Sequence, residues 1–312
     1  MSDRVVVAYV TSWGSSLPNP RLMTHINYAF GKVSDSFDMV DISNPDRLKD
    51  IVALKKKNRK LKVMLSIGGW GAGNFSEMAA SDELREKFCE SCLKAVEQYR
   101  LDGIDIDWEY PSSSSAGISS SDEDTENFTL LIRDLREVLG EYRTLTLASV
   151  ASAEYVNFPD FIDCIDFVNL MTYDMGWAPC YNSALFRSEP DTGLTVDEAV
   201  TAHLEAGVPS SKIVVGMPFY GHGDKVSFGS FVDYKDIVID TTLFRECWDE
   251  VARVPYITDT AGKIVFTYDN VESISEKCRY VLDRSFHGAM YWEAGADNAD
   301  QDLSRKIAEM IL

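Results

Sequence analysis

The stretch Leu101-Asp102-Gly103-Ile104-Asp105-Ile106-Asp107-Trp108-Glu109-Tyr110-Pro111 alternates acidic and apolar side chains from Ile104 to Glu109. Read as a strand, it projects Asp105, Asp107 and Glu109 to one side and Ile104, Ile106 and Trp108 to the other. The apolar set needs a covering layer, as the outer helices of a barrel provide. Three acids in a row on an inward surface repel one another and lose hydration, which is costly for structure alone. The row becomes tolerable when protons are shared, and the outermost acid then has a raised pKa. A carboxylic acid still protonated near neutral pH is what a poor alkoxide leaving group requires. The bland alternative is an exposed sheet edge with solvated charges, and the strict alternation argues against it.

Outward from this segment, short apolar or β-branched runs recur at 5–10, 25–30, 61–67, 103–107, 145–150, 167–173, 213–219 and 289–292. Helical periodicity occupies 46–57, 77–99, 124–139, 196–206, 271–282 and 302–311. Asn44 precedes the first of these helices, and Thr195 with Glu198 predicts a capping box at the fourth. Eight strands each followed by a helix, in 312 residues, predict an α/β fold: a single (β/α)8 TIM barrel over residues 1–312. A doubly wound open sheet is the alternative, but the Gly-rich strand-to-helix turn of its nucleotide-binding forms is missing. Barrel enzymes place their catalysts at the C-terminal ends of strands, where Glu109 falls.

Two stretches break the rhythm. The Ser-rich segment 112–124 reads as a mobile surface loop rather than a substrate clamp. Residues 223–266 are too many for one turn, and predict a small α+β insertion on the rim between strands seven and eight. Its expected parts are a helix at 242–251 and strands at 228–234 and 263–266.

With 30 Lys+Arg against 50 Asp+Glu, the chain carries a formal charge of −20. That field repels phosphate backbones and anionic membrane surfaces, so neither nucleic acid nor membrane is expected as a partner. A neutral polymer is indifferent to it. No apolar run approaches the roughly 18 to 20 residues that span a bilayer. After Met1-Ser2-Asp3-Arg4 the apolar stretch is too short for a signal peptide, so any export signal is expected to be absent from this chain. Six cysteines and four histidines are scattered. Cys89 and Cys92 have redox or metal spacing, yet Leu84, Phe88, Cys92, Val96 and Tyr99 repeat at helical intervals around them. Buried or half-buried free thiols are expected there, and no metal site. Five of the six tryptophans, Trp13, Trp70, Trp108, Trp177 and Trp292, lie in or just beyond predicted strands. A core would spread them, whereas a groove for sugar rings would gather them at one rim; Trp108 alone is expected to face the helices.

The segment 102–111 resembles the DGxDxDWEYP signature of family 18 glycoside hydrolases. Ser66-Ile-Gly-Gly69, Met171-Thr-Tyr-Asp174, Gly216-Met-Pro-Phe-Tyr-Gly221 and Gly288-Ala-Met-Tyr-Trp292 support the likeness, in order and each at a predicted strand end. The resemblance implies a retaining hydrolase of β-1,4-linked N-acetylglucosamine, most often a chitinase, in which the substrate's acetamido oxygen is the nucleophile. By that likeness Glu109 is the acid and then the base. Asp107 turns toward Glu109 and holds the acetamido N–H, Asp105 trades a proton with Asp107, and Tyr173 hydrogen-bonds the acetamido carbonyl. Trp292 floors the −1 subsite, with Tyr9, Phe30, Met171, Asp174 and Tyr220 around it. Gly69, Trp70 and Tyr110 belong to the sugar-binding surface, with Trp70 stacking at a more distant subsite. No metal or organic cofactor is implied, and the expected partner is chitin or a chitooligosaccharide bound by a monomer.

The chain departs from the family in a shorter rim insertion and in His222, where many members carry Arg. Rival readings are a chitooligosaccharide-binding lectin, disfavoured because Glu109 is retained, and an endo-β-N-acetylglucosaminidase acting on N-glycan cores. A polymer too large to enter a cell implies an extracellular or periplasmic place of action. The sequons Asn74-Phe-Ser and Asn127-Phe-Thr would matter only in a eukaryotic secretory path.

Overall fold

The computed structural model describes residues 4–189 and 193–312, so the Met1–Asp3 start lies outside the described residues. Eight parallel strands form the barrel: Val5–Thr11, His25–Val33, Lys62–Gly68, Gly103–Asp107, Thr144–Val150, Phe167–Met171, Ile213–Pro218 and Gly288–Trp292. The first pairs with both the second and the eighth, which closes the ring. All eight predicted strands are present, shifted by a few residues at their ends.

Burial lies in two shells. The outer one holds Ile104, Ile106 and Trp108 with the inner faces of the helices, and Trp108 stacks on Phe75 at 5.1 Å. Ile104 and Ile106 are fully buried, each contributing about 1.5–3 kcal/mol of apolar burial. The inner shell fills the barrel with Val5, Val7, Tyr9, Phe167, Val214 and Met290, and Asp105 and Asp107 are buried from the same inward side as these.

The helices follow from their caps and stripes. In Asp124–Leu139, Phe128, Leu131, Ile132, Leu135 and Leu139 are buried at helical spacing. Val196–Glu205 begins with the expected capping box between Thr195 and Glu198. The predicted 77–99 helix is two, Phe75–Ala79 and Asp82–Tyr99, because the Ser81 hydroxyl accepts from Leu84 N–H and starts a new N-terminus. Cys89 and Cys92 are buried in the second of these, and burial pushes the Cys89 thiol up to about 12, so neither is a ready thiolate.

Three expectations need correction. Among the described residues, the connections after the first and fifth strands hold no α-helix; the latter is covered by two 3-10 turns that bury Phe158 and Phe161. The rim insertion is β rather than α+β: Tyr220–Gly223, Val232–Asp233, Phe244–Asp249, Val254–Asp259 and Ile264–Thr267 make one antiparallel sheet. The 242–251 helix is the strand Phe244–Asp249, because pairing with Val254–Asp259 along its length overrides a weak helical period. The 112–124 loop lies on the surface, as expected, and hydrogen bonds hold its end. Asp124 accepts from the backbone N–H of Ser112 and Ser121 and from the Ser76 hydroxyl, while Ile118 is buried.

Candidate active site

At the C-terminal ends of the strands lies a cavity of about 260 Å³. It is lined by Tyr9, Phe30, Trp70, Asp107, Glu109, Met171, Tyr173, Asp174, Tyr220 and Trp292, all expected from sequence, together with Trp13, Ala148 and Phe231. Phe30 stacks on Trp292 at 5.6 Å and 18°, and Tyr9 and Trp13 tilt against the same indole. An aromatic floor of this kind suits the C–H face of a sugar ring. Trp13 and Trp70 are exposed at the rim. Trp177 is exposed too, but it packs on His222 and does not line the cavity.

The three acids descend from the mouth into the barrel. Asp105 is fully buried beneath the cavity, where donors from four other strands converge on it. Oδ2 accepts from the hydroxyls of Tyr9 and Ser66, both at 2.8 Å; Oδ1 accepts from the Thr146 hydroxyl at 2.6 Å and the Asn169 amide at 3.1 Å. Burial raises its pKa and these four donors oppose the rise. Asp107 is 4% exposed, and its Oδ1 has no hydrogen-bond partner among the described residues. Burial, then the neighbouring Glu109 and Asp105, push it well above the carboxylate range. Glu109 is half-buried at the mouth. Burial raises its carboxyl to about 7; the Tyr110 hydrogen bond opposes this and the Asp174 charge adds to it. Three acids on one strand and just beyond its end are thus set apart by depth and by partners.

The SxGG segment shapes this arrangement. Ser66 supplies a donor to Asp105. Gly68 sits at φ +127°, where an added Cβ would meet the Asp107 carbonyl oxygen at 1.9 Å, and Gly69 N–H donates to that same oxygen. Gly69 and Tyr110 support the cavity without lining it. Gly69 lies against the Phe30 ring, and Tyr110 stacks on Tyr155 at 5.1 Å while meeting Trp70 edge-on. Tyr173 is buried, and among the described residues its hydroxyl has only a long 3.9 Å contact, to Met290 Sδ. Asp174 takes the Tyr220 hydroxyl and His222 Nε2 on one oxygen, Oδ1.

Sequence reasoning missed Phe231, Ala148 and the roles of all four Asp105 donors. Phe231 enters from the insertion and stacks on Tyr220 at 4.2 Å, a contact no local pattern announces. Ser66 and Thr146 stand level with Asp105 in the parallel register, so aligning the strands would have found them. Among the described residues, no three His, Cys, Asp or Glu side chains group as metal ligands, and no helix is long and apolar enough to cross a membrane.

Comparison with known proteins bears on these features directly. A solved N-acetylglucosaminidase of glycoside hydrolase family 18 from Paenibacillus barengoltzii is 36% identical, with TM-score 0.89, over 98% of this chain and 99% of that one. The Group IV chitinase of Ostrinia furnacalis, solved with allosamidin, is 28% identical with TM-score 0.88, covering 98% of each. Chitinase A1 of Niallia circulans is 33% identical over 88% of this chain, which spans 45% of that protein's length. The family model described as glycosyl hydrolases family 18 matches residues 5–297, a span that includes every acid and aromatic residue of the cavity. The chain belongs to that family.

Proposed function

We propose that this chain hydrolyses β-1,4 linkages between N-acetylglucosamine units of chitin or chitooligosaccharides, with retention, using the substrate's acetamido group as nucleophile. The observation that carries the reading is the pair at the cavity wall. Glu109 keeps its proton to about pH 7, and beside it Asp107 holds a buried acceptor oxygen with no partner among the described residues. An unpaired buried acceptor is costly unless a ligand donor meets it. An acetamido N–H is such a donor.

In this scheme the Glu109 proton passes to the glycosidic oxygen as the C1–O bond breaks. The acetamido carbonyl oxygen bonds C1 from the opposite side, giving an oxazolinium ion whose N–H is held by Asp107. Tyr173, with no strong partner of its own, orients that carbonyl. Water then attacks C1, its proton returns to Glu109, and the acetamido group is restored. Asp105, held by four donors, is the acid best kept ionised, and its charge favours a proton on Asp107. Positioning an intramolecular nucleophile supplies much of the barrier reduction. The residues lining the cavity come from one chain, which supports action as a monomer.

Chitotetraose and chitopentaose, followed by product length and anomer ratio, test the reading. Predominant β-anomer in the new reducing ends is expected. Oligomers with glucosamine at −1 should bind and remain uncut, and a thiazoline mimic of the intermediate should inhibit strongly. Cleavage with glucosamine at −1, or a sugar ester trapped on any Asp or Glu, would rule out substrate assistance. The small cavity also favours a second reading, attack at chain ends as in an N-acetylglucosaminidase, for which monomer would be released from the first time point.

A further inference from the structure

The cations of this acidic chain are unevenly spread. Lys55, Lys56, Lys57, Arg59, Lys60 and Lys62 crowd into one short run, against a net charge of −20. The fold holds this run in place and turns its side chains outward. The helix Pro45–Ala53 passes into the 3-10 turn Leu54–Lys56, and Leu54 and Leu61, to either side of the crowded lysines, are buried. Lys57 N–H donates to the Leu54 carbonyl at 2.8 Å, and the Asn58 amide crosses to the Pro20 carbonyl at 2.8 Å. Asn19 N–H in turn donates to Gln301 Oε1 at 3.1 Å. Between these ties lies a groove of about 620 Å³, whose walls include Arg21, Lys56, Lys57, Leu17, Pro18 and Leu54, and no Asp or Glu. Lys55 is taken by the Arg100 carbonyl and the Asp102 carboxylate. Arg21, Lys56 and Lys57 are exposed, and among the described residues no hydrogen bond or ion pair occupies their side chains.

Cations that converge on one concavity repel one another, and an anion lying among them relieves that cost. The negative charge of the rest of the chain does not cancel the effect, because salt screens exposed charges beyond about 8 Å at physiological ionic strength. We propose that this groove binds an anionic polysaccharide, whose sulfate or phosphate groups meet Arg21, Lys56 and Lys57. A guanidinium fork matches two oxygens of such a group, and the ammonium groups act as point charges beside it. Leu17, 48% exposed, and Pro18 supply an apolar wall for the C–H faces of sugar rings. No aromatic ring lines the groove, so the stacking platform that single-stranded nucleic acid uses is missing. At about 3.3 Å per residue, the strand Lys62–Gly68 puts roughly 20 Å between this turn and the Asp107 end of the barrel. A polymer held here would therefore anchor the chain to a charged matrix and leave the cavity open.

Binding of the whole chain to labelled dextran sulfate, dextran phosphate and neutral dextran, read by fluorescence anisotropy at about 50–200 mM salt, tests this. The parent should bind one or both charged dextrans, which tells sulfate from phosphate, and should not bind the neutral one. The slope of log K against log salt should be about −2, roughly 0.7 for each of the three cations. Lys56→Glu/Lys57→Glu should weaken binding by about tenfold or more and flatten that slope, while Lys56→Arg/Lys57→Arg should retain it. Lys87→Glu/Lys94→Glu makes the same change of charge on the exposed face of Asp82–Tyr99 and should weaken binding by less than about threefold. All these side chains are exposed, so Tm and chitotetraose turnover should match the parent in every variant. Equal losses in the two charge-reversed variants, or no binding to either charged dextran at the lowest salt, would overturn the proposal. Tighter binding to single-stranded DNA than to both dextrans would overturn the choice of polysaccharide. The groove is independent of the hydrolase reading: a parent that binds charged dextran but leaves chitotetraose intact would overturn that reading alone.

Discussion

Replacing Glu109 by Gln should have two effects of opposite sign. The variant keeps the shape of the side chain but has no proton to give, so kcat should fall by about 10²–10⁴-fold or more. Stability should rise, but only at high pH. The folded chain holds the Glu109 carboxyl at about 7, against 4.5 for an ordinary glutamate. The unfolded chain therefore releases that proton first, and stability falls as pH rises from about 4.5 to about 7. Above that window the full cost of a buried carboxylate is present; below it both states are protonated and the cost vanishes. The difference corresponds to about 3 kcal/mol, an upper bound because the mouth of the cavity admits water. Gln carries none of this cost.

Thermal unfolding of parent and variant at about pH 4, 6 and 8 separates the contributions. The curves should coincide at the lowest pH and part progressively, with Tm of the variant higher by up to about 4–5 °C at the highest, for a chain of this length. Turnover of chitotetraose, measured on the same samples, should be lost at every pH. A Tm difference that does not change with pH would show that the carboxyl is not held protonated by the fold. A loss of turnover below about tenfold would refute its role as proton donor.

Asp107→Asn should cripple turnover and change the shape of the pH–rate profile, since Asp107 is linked to both Asp105 and Glu109; an unchanged bell would mean that the acids titrate independently. Asp105→Asn leaves one acceptor oxygen for four converging donors, and a loss of stability on the order of 2–4 kcal/mol is expected in denaturant unfolding. Tyr173→Phe should lower kcat more than it raises KM in steady-state kinetics, because the acetamido carbonyl draws on that hydroxyl most as it attacks. Gly69→Ala places a Cβ 2.6 Å from Phe30 Cε2 at φ +92°, displacing the ring from Trp292, and should raise KM more than it lowers kcat.

The barrel was legible because its strands are buried on both sides and read as short apolar runs, while Thr195 and Asn44 announce helix starts by capping chemistry that needs only neighbouring residues. The Phe244–Asp249 strand was not legible. Leu243, Cys247 and Val251 fit a helix as well as Phe244 to Asp249 fit a strand, and the partner strand that decides between them comes later in the chain. The same division runs through the site. Asp107, Glu109, Tyr173 and Trp292 stand at strand ends, where position along one segment fixes the face presented. Phe231 and the His222 contacts depend on how a separate sheet folds back over the rim, and no single segment encodes that.

One strand and the two residues beyond it give three carboxyl groups three different environments, and depth in the barrel is the variable that separates them. At the bottom Asp105 is cut off from water but receives four hydrogen bonds, which compensate a negative charge. One residue pair higher, Asp107 is also cut off from water, with one oxygen uncompensated, so a charge there is opposed both by burial and by the acids on either side. At the mouth Glu109 is partly hydrated and sits at about 7, able to lose a proton and regain it within the ordinary pH range. The period-two geometry of a strand places the acids in line; the parallel register then brings Ser66 and Thr146 level with Asp105 but not with Asp107. Shifting that register by one residue would move the donors off Asp105 and leave all three acids competing for protons. The division of labour proposed for them therefore rests on the barrel's strand alignment as much as on the acids themselves.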